Sequence, residues 1–164
     1  MVPLLKSSYR RKLPHLQRDN KAPFLTFCTF RRWILPEWAR NIVLQCCVRA
    51  HGWTVDLYAV VVMPDHVHMI FVPALNQLKS EVFPLARITK AIKGSSAHLI
   101  NGKLERHGQV WQEESFDRVL RSSEKIEEKV LYVLENPVRK ALVANWQDYP
   151  WLWHNLPTTP TGRK

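Results

Sequence analysis

The sequence predicts an α+β fold built on an antiparallel sheet of ferredoxin-like β-α-β-β-α-β order with a further C-terminal helix. Three features predict it. Segments rich in aromatic and β-branched residues alternate with segments whose apolar residues recur at helical spacing. Pro64-Asp65 separates two of the strand segments and fits the centre of a tight turn, so they form a hairpin. The 164 residues, 46% of them hydrophobic, suit one domain with a real core. That domain is expected over residues 23–150, after a basic arm over 1–22 and before a disordered tail over 151–164. Such a fold hosts many functions and decides none alone.

The elements follow in order. Residues 22–30, Ala-Pro-Phe-Leu-Thr-Phe-Cys-Thr-Phe, alternate bulky and small and give strand one. Residues 36–50 carry Trp38, Ile42, Val43, Cys46 and Cys47 at helical spacing, and Gly52 punctuates the end of that helix. Residues 53–63 and 66–72 are strands two and three, with Trp53 expected in the core. Residues 73–83 read as a loop. Helix two covers 85–100, with Ile88, Ile92, Ala97 and either Leu99 or Ile100 inward, and Asn101-Gly102 ends it. Residues 116–120 form the fourth strand. Ser123 can cap a last helix from Glu124.

Charge narrows the partner class. With 24 Lys+Arg against 14 Asp+Glu, the net charge is +10. That excess favours a polyanion through Coulomb attraction and counterion release, and leaves open DNA, RNA or an anionic membrane surface. The arm, with Lys6, Arg10, Arg11, Lys12, Arg18 and Lys21, reads equally as a solvated tail or as a phosphate-contacting segment. Apolar runs fall far short of the roughly 20 residues that span a bilayer, and the N-terminus lacks an apolar signal core. Cys28, Cys46 and Cys47 are odd in number and partly adjacent, so reduced thiols in a cytoplasmic protein are expected.

Two constellations carry chemistry. His66 and His68 stand at i and i+2 of a strand and so share a face, with Val67 pointing to the opposite layer. Seven histidines in 164 residues yield about a third of such a pair by chance, so the spacing alone also fits two polar residues on a half-exposed face. The apolar runs on either side argue for a central strand, where unpaired imidazoles cost a few kcal/mol unless something satisfies them. A closed zinc site needs four ligands, and no CxxC is present. Two imidazoles with oxygen ligands and open positions suit magnesium or manganese bound together with a phosphate.

The second constellation lies on the last helix. Ile126, Val130, Val133 and Leu134 form its core stripe, while Tyr132 and Asn136 stack at i and i+4 on the flank, beside Lys125 and Lys129. A nucleophile, a carboxamide and two ammonium groups suit a phosphodiester. The same residues also fit a boundary tyrosine with a wet hydroxyl, and Asn136-Pro137 fits an N-cap opening a further helix over 138–144.

Val62-Met63-Pro64-Asp65-His66-Val67-His68, Trp111-Gln112 and Tyr132-Val133-Leu134-Glu135-Asn136-Pro137-Val138, with a weaker Ser8-Tyr9-Arg10-Arg11, occur in an order that resembles the HUH single-tyrosine transposases. The resemblance is to the REP-associated tyrosine transposases of bacteria, relatives of the transposases of very small insertion sequences. It covers roughly residues 7–150, and the segment after the histidine strand departs from the family pattern. It implies that Tyr132 is the catalytic tyrosine, on a C-terminal catalytic helix. His66 and His68 would hold a divalent metal, Mg or Mn, with Asn136 as a third ligand. The implied partner is single-stranded or hairpin DNA; from the basic arm and helix flank read above, Arg10, Arg11, Lys125 and Lys129 are expected to contact it, and the short apolar runs leave no membrane partner expected. A homodimer is compatible, since relatives differ in whether one chain or two complete an active site. The implied chemistry is nicking and rejoining through a 5′-phosphotyrosine. A phenol is mostly protonated at pH 7, so the metal or Lys129 would have to supply positive charge. Two alternatives remain: a catalytically silent single-stranded nucleic-acid-binding protein of the same fold, and a replication-initiator nicking enzyme, against which the small size argues.

Overall fold

A computed structural model describes residues 22–120 and 125–156. The arm with Arg10 and Arg11, the Ser123 cap and the tail from Pro157 lie outside the described residues. The chain runs β1 (Pro23–Cys28), α1 (Glu37–Arg49), β2 (Val55–Val62), β3 (His66–Pro73), β4 (Leu75–Asn76), β5 (Glu81–Val82), α2 (Leu85–Lys103), β6 (Phe116–Val119), α3 (Ile126–Leu134), α4 (Asn136–Arg139) and β7 (Leu152–His154). Five strands form one sheet in the order β6-β1-β3-β2-β7, every neighbour antiparallel. The first four reproduce the predicted ferredoxin-like arrangement and put β3, the histidine strand, in the middle.

Strand alternation sorts side chains into two layers. Val67, Met69 and Phe71 of β3 pack with Leu25 and Phe27 of β1 beneath α1 and α2. Ile70 faces the other way, onto Val130, Val133 and Leu134 of α3. Between Leu57 and Ala59 the β2–β3 register shifts, which marks a bulge at Tyr58. The extra residue reverses the phase of β2, so Val60 and Val62 join the α1–α2 layer while Ala59, Val61 and Met63 join the α3 layer. Helices therefore cover both faces, and α3 lies on the face that carries His66 and His68. Cys46 and Cys47 are buried thiols on α1, as expected, and burial pushes the Cys47 thiol up.

Several expectations are corrected. The predicted loop 73–83 holds the β4–β5 ribbon. α2 runs on to Lys103, buries Ile88, Ile92 and Ile100, and leaves Leu99 exposed. Trp53 is 78% exposed, because it sits in the turn after Gly52 (φ 81) rather than in β2. β1 stops at Cys28, and Arg31 and Arg32 then take left-handed φ values of 52 and 57, a conformation costing roughly 1–2 kcal/mol each for a residue with a Cβ. The helix expected over 138–144 is only α4, Asn136–Arg139. Ala141 N–H donates to Val138 O and Leu142 N–H to Pro137 O, with Ala141 at φ 55, which closes the helix after one turn.

The boundary at residue 150 also moves. β7 pairs with β2 over Ala59–Val61 and occupies an edge that would otherwise expose unpaired backbone groups. Tyr149 Oη donates to Val62 O at 2.8 Å. Trp151 Nε1 donates to Asn41 Oδ1 at 2.7 Å, and the Arg40 guanidinium lies 3.8 Å over its ring. Trp151→Ala is expected to cost about 2–3 kcal/mol in urea unfolding, through lost packing and the cation–π contact. A change under ~0.5 kcal/mol would show that this segment is not held to the fold.

Candidate active site

The histidine hairpin is gripped from outside. Met63 N–H donates to His66 O at 2.8 Å, closing the turn at Pro64-Asp65. Thr29 donates to Asp65 O through both its N–H (2.9 Å) and its Oγ1 (3.1 Å), and Leu35 N–H donates to Pro64 O (2.7 Å). Register on a rigid central strand places the two imidazoles side by side, ring centroids 4.7 Å apart. His66 Nδ1–H donates to Asp65 Oδ1 at 2.6 Å, and Arg32 Nε lies 3.1 Å from Asp65 Oδ2. His68 Nδ1 is 2.8 Å from Thr26 Oγ1, its cross-strand partner on β1, and its ring stacks on Phe24 at 5.4 Å.

These bonds choose which nitrogen is available. A carboxylate only accepts, so His66 Nδ1 carries the proton and the neutral ring's lone pair is on Nε2. The Thr26 hydroxyl can hold His68 in the same tautomer. Among the described residues no hydrogen bond engages either Nε2. Burial, then the neighbouring His66, then Arg139 lower the His68 pKa from 6.5 to about 3, so His68 is neutral at physiological pH.

The tyrosine helix reaches the same place. α3 buries Val130, Val133 and Leu134 and leaves Tyr132 57% exposed on its flank. Pro137 has no N–H to continue the helical ladder, and a separate short helix, α4, begins at Asn136. Asn136 is its first residue and is buried. No side chain caps this helix, and no hydrogen bond engages the Asn136 carboxamide among the described residues. The N-cap alternative for Asn136 is thus not what is observed. His68, Tyr132 and Asn136 line one cleft of about 450 Å³, with Phe24, Arg139 and Lys140.

Of the expected basic residues, Lys129 lies beside Tyr132, its Nζ 5.7 Å from the ring. Lys125 is highly exposed and lies 3.9 Å from Glu128 instead. The nearer cation is one the sequence reading did not single out. Arg139 lies 4.0 Å over the Tyr132 ring, and its Nη2 donates to Tyr132 O at 2.7 Å. Position i+7 on a helix brings it back to the same face, a signal obscured by the intervening proline. Asp65, Thr26 and Arg32 were also passed over. Asp65 adjoins His66, but Thr26 and Arg32 are visible only once β1 is registered against β3.

Trp111 and Gln112 lie on the far side of the sheet from the cleft. Trp111 is buried in the α1–α2 layer, its Nε1 donating to Ser96 Oγ at 3.0 Å. Gln112 Nε2 donates to Thr29 O at 3.2 Å, which braces the residue that holds the Asp65 carbonyl. A larger cleft of about 1050 Å³ opens between α2 and residues 108–115. Its Lys93 already donates to Gln112 O, Glu113 O and Ser115 Oγ, and neither histidine nor Tyr132 lines it.

The fold is similar to that of a REP-associated tyrosine transposase bound to a REP hairpin, at 20% identity and a TM-score of 0.63, covering 82% of this chain and 76% of that one. A Deinococcus radiodurans R1 structure described as a transposase aligns at 23% identity and a TM-score of 0.45, over 83% of this chain and 97% of that one. No curated protein matches. The family model for IS200-like transposases matches residues 19–133, from before β1 to the tyrosine helix, and the chain therefore belongs to the IS200-like transposase family.

Proposed function

We propose that this transposase is a metal-dependent single-stranded DNA endonuclease and strand transferase acting through a 5′-phosphotyrosine on Tyr132. The observation that carries the reading is the shared cleft of Tyr132, His68 and Asn136, beside a His66 whose Nε2 makes no hydrogen bond among the described residues. The donor set fits a divalent metal. Two imidazoles are fixed through Nδ1 by Asp65 and Thr26, and the buried Asn136 carboxamide has no hydrogen-bond partner among the described residues. No cluster of three or more His, Cys, Asp or Glu exists among the described residues, so a substrate phosphate and water would complete the shell. Such an ion, Mg or Mn, would polarise the scissile phosphate as a Lewis acid.

The chain's own residues do the rest. Arg139 and Lys129 present positive charge beside Tyr132, where a phosphate must sit. Tyr132 Oη forms a bond to phosphorus, the bond from phosphorus to the 3′ oxygen breaks, and that oxygen leaves as a 3′-OH while the phenol gives up its proton. A 3′-OH reverses the step by attacking the phosphotyrosine, so strands are rejoined without an external energy source. The similar structure that carries a REP hairpin supports a hairpin-bearing DNA as the substrate class.

The test is a denaturing gel with labelled hairpins carrying single-stranded extensions, in Mg or Mn and in chelator. A metal-dependent protein–DNA adduct is expected. Its absence across hairpins that the protein binds would favour the catalytically silent binding protein. Asp65→Ala is expected to weaken Mn binding in calorimetry by about 10- to 100-fold, since it removes the group that aims His66. Unchanged affinity would remove Asp65 from the site.

A further inference from the structure

Beside the histidine hairpin, the short segment Phe30–Trp33 meets the start of α1 and the end of α2. Arg31 lies 5.1 Å over the Phe30 ring, Arg106 lies 5.0 Å over Trp33, and Lys103 lies 4.9 Å over Trp38. Cations at a protein surface are commonly held by carboxylates. Here ring faces hold them, and among the described residues Arg31 and Lys103 meet no carboxylate, while the Arg106 guanidinium bonds only the Asn101 carboxamide. Two consecutive left-handed arginines carry this segment, and strain of that kind persists where surrounding structure holds it for a purpose. Arg32 is the link to the cleft, with Nε 3.1 Å from Asp65 Oδ2, and Asp65 in turn holds His66.

We infer that this ridge of Arg31, Lys103 and Arg106 on their aromatic supports binds the backbone of the single-stranded DNA that flanks the scissile phosphate. The inference rests on the strand-transfer reading above and adds the path of the strand. Charge complementarity favours a polyanion. The exposed carboxylates of Glu37 and Glu105 lie in the same segments, but neither pairs with the three cations among the described residues. Single-stranded DNA, rather than a duplex, suits a surface that strings cations along a short ridge, because its flexible backbone can bring successive phosphates to them. Continuity supports the same occupant: the ridge begins one residue from Arg32, which holds Asp65 at the turn end of the histidine hairpin.

The experiment measures binding of a dT20 oligonucleotide against salt for wild type, for Arg31→Ala/Lys103→Ala/Arg106→Ala, and for a control, Arg49→Ala/Lys79→Ala/Lys90→Ala, that removes equal charge elsewhere. Loss of three phosphate contacts lowers the magnitude of the slope of log K against log salt by about 2, and the control changes it by less than about 0.5. Equal slopes in wild type and the ridge variant, or an equal drop in both variants, overturn the proposal. So does an altered oligomeric state in light scattering with unchanged dT20 binding, which would assign the ridge to contact between copies. Circular dichroism melts of all three proteins separate misfolding from lost contacts, and single variants at each position replace the triple variant if it melts early. The wild-type adduct assay runs in parallel. An adduct with no slope change sinks the ridge alone, and a slope change with no adduct sinks the strand-transfer reading alone.

Discussion

Tyr132→Phe is expected to abolish the covalent protein–DNA adduct and to leave DNA binding within a few-fold of wild type. The substitution removes one atom, Oη, from a ring that is otherwise held in place. Arg139 packs 4.0 Å over that ring and anchors to the Tyr132 carbonyl, and Lys129 approaches at 5.7 Å, and neither contact needs the hydroxyl. The side chain is 57% exposed, so no buried hydrogen bond is lost and stability changes by less than about 0.5 kcal/mol. Without a nucleophile to bond phosphorus, strand cleavage should fall by at least about a thousandfold. Arg139→Ala separates charge from chemistry, because it keeps the hydroxyl and removes the nearer cation. Slower adduct formation with some residual product is expected there. If Tyr132→Phe still formed an adduct, the nucleophile would have to be another residue, and Tyr132 would be a boundary tyrosine stacked under an arginine.

Much of this site was legible because its parts are local. His66 and His68 share a face by strand alternation alone, and Pro64-Asp65 announces the turn that aims them. Tyr132 and Asn136 are one helical turn apart, and a proline after Asn136 marks the break. What was not legible is non-local. Thr26 reaches His68 across 42 residues and Gln112 reaches Thr29 across 83, and both depend on strand pairings that no short window encodes. The phase change at Tyr58 is likewise invisible in a run of valines, since buried residues on both faces erase the alternation that would reveal a bulge. β7 was missed for a related reason. It is three residues long and gains its place from the β2 edge and from Tyr149 and Trp151, not from its own pattern. Trp53 shows the opposite error: bulk and apolarity suggested burial, but Gly52 turns the chain so that the indole faces water.

The largest effect of pH should come from His68. Burial, His66 and Arg139 lower its pKa to about 3, against 6.5 when it is free. Between those values the unfolded chain binds a proton that the folded chain refuses, so unfolding takes up protons and stability rises with pH across the window. Stability is therefore full above pH ~6.5, falls as pH drops towards ~3, and receives no further change from this group below that. From pH 7 to 4.5 the loss assigned to His68 is about 2 kcal/mol, discounted for the ring's partial exposure. Carboxylates titrate in the same range, so the measurement is a difference: urea unfolding of metal-free wild type and His68→Gln at both pH values. The glutamine variant should be less sensitive to acid by that amount, because its amide carries no charge in either state. Equal sensitivity would mean that the folded protein protonates His68 as readily as the unfolded chain does. The same low pKa has a consequence for chemistry. A proton does not compete for His68 at neutral pH, so the proposed ion would find a lone pair already desolvated and aimed by Thr26. Thr26→Val, which keeps the shape and removes the hydroxyl, should then weaken Mn binding by about tenfold while leaving the sheet intact.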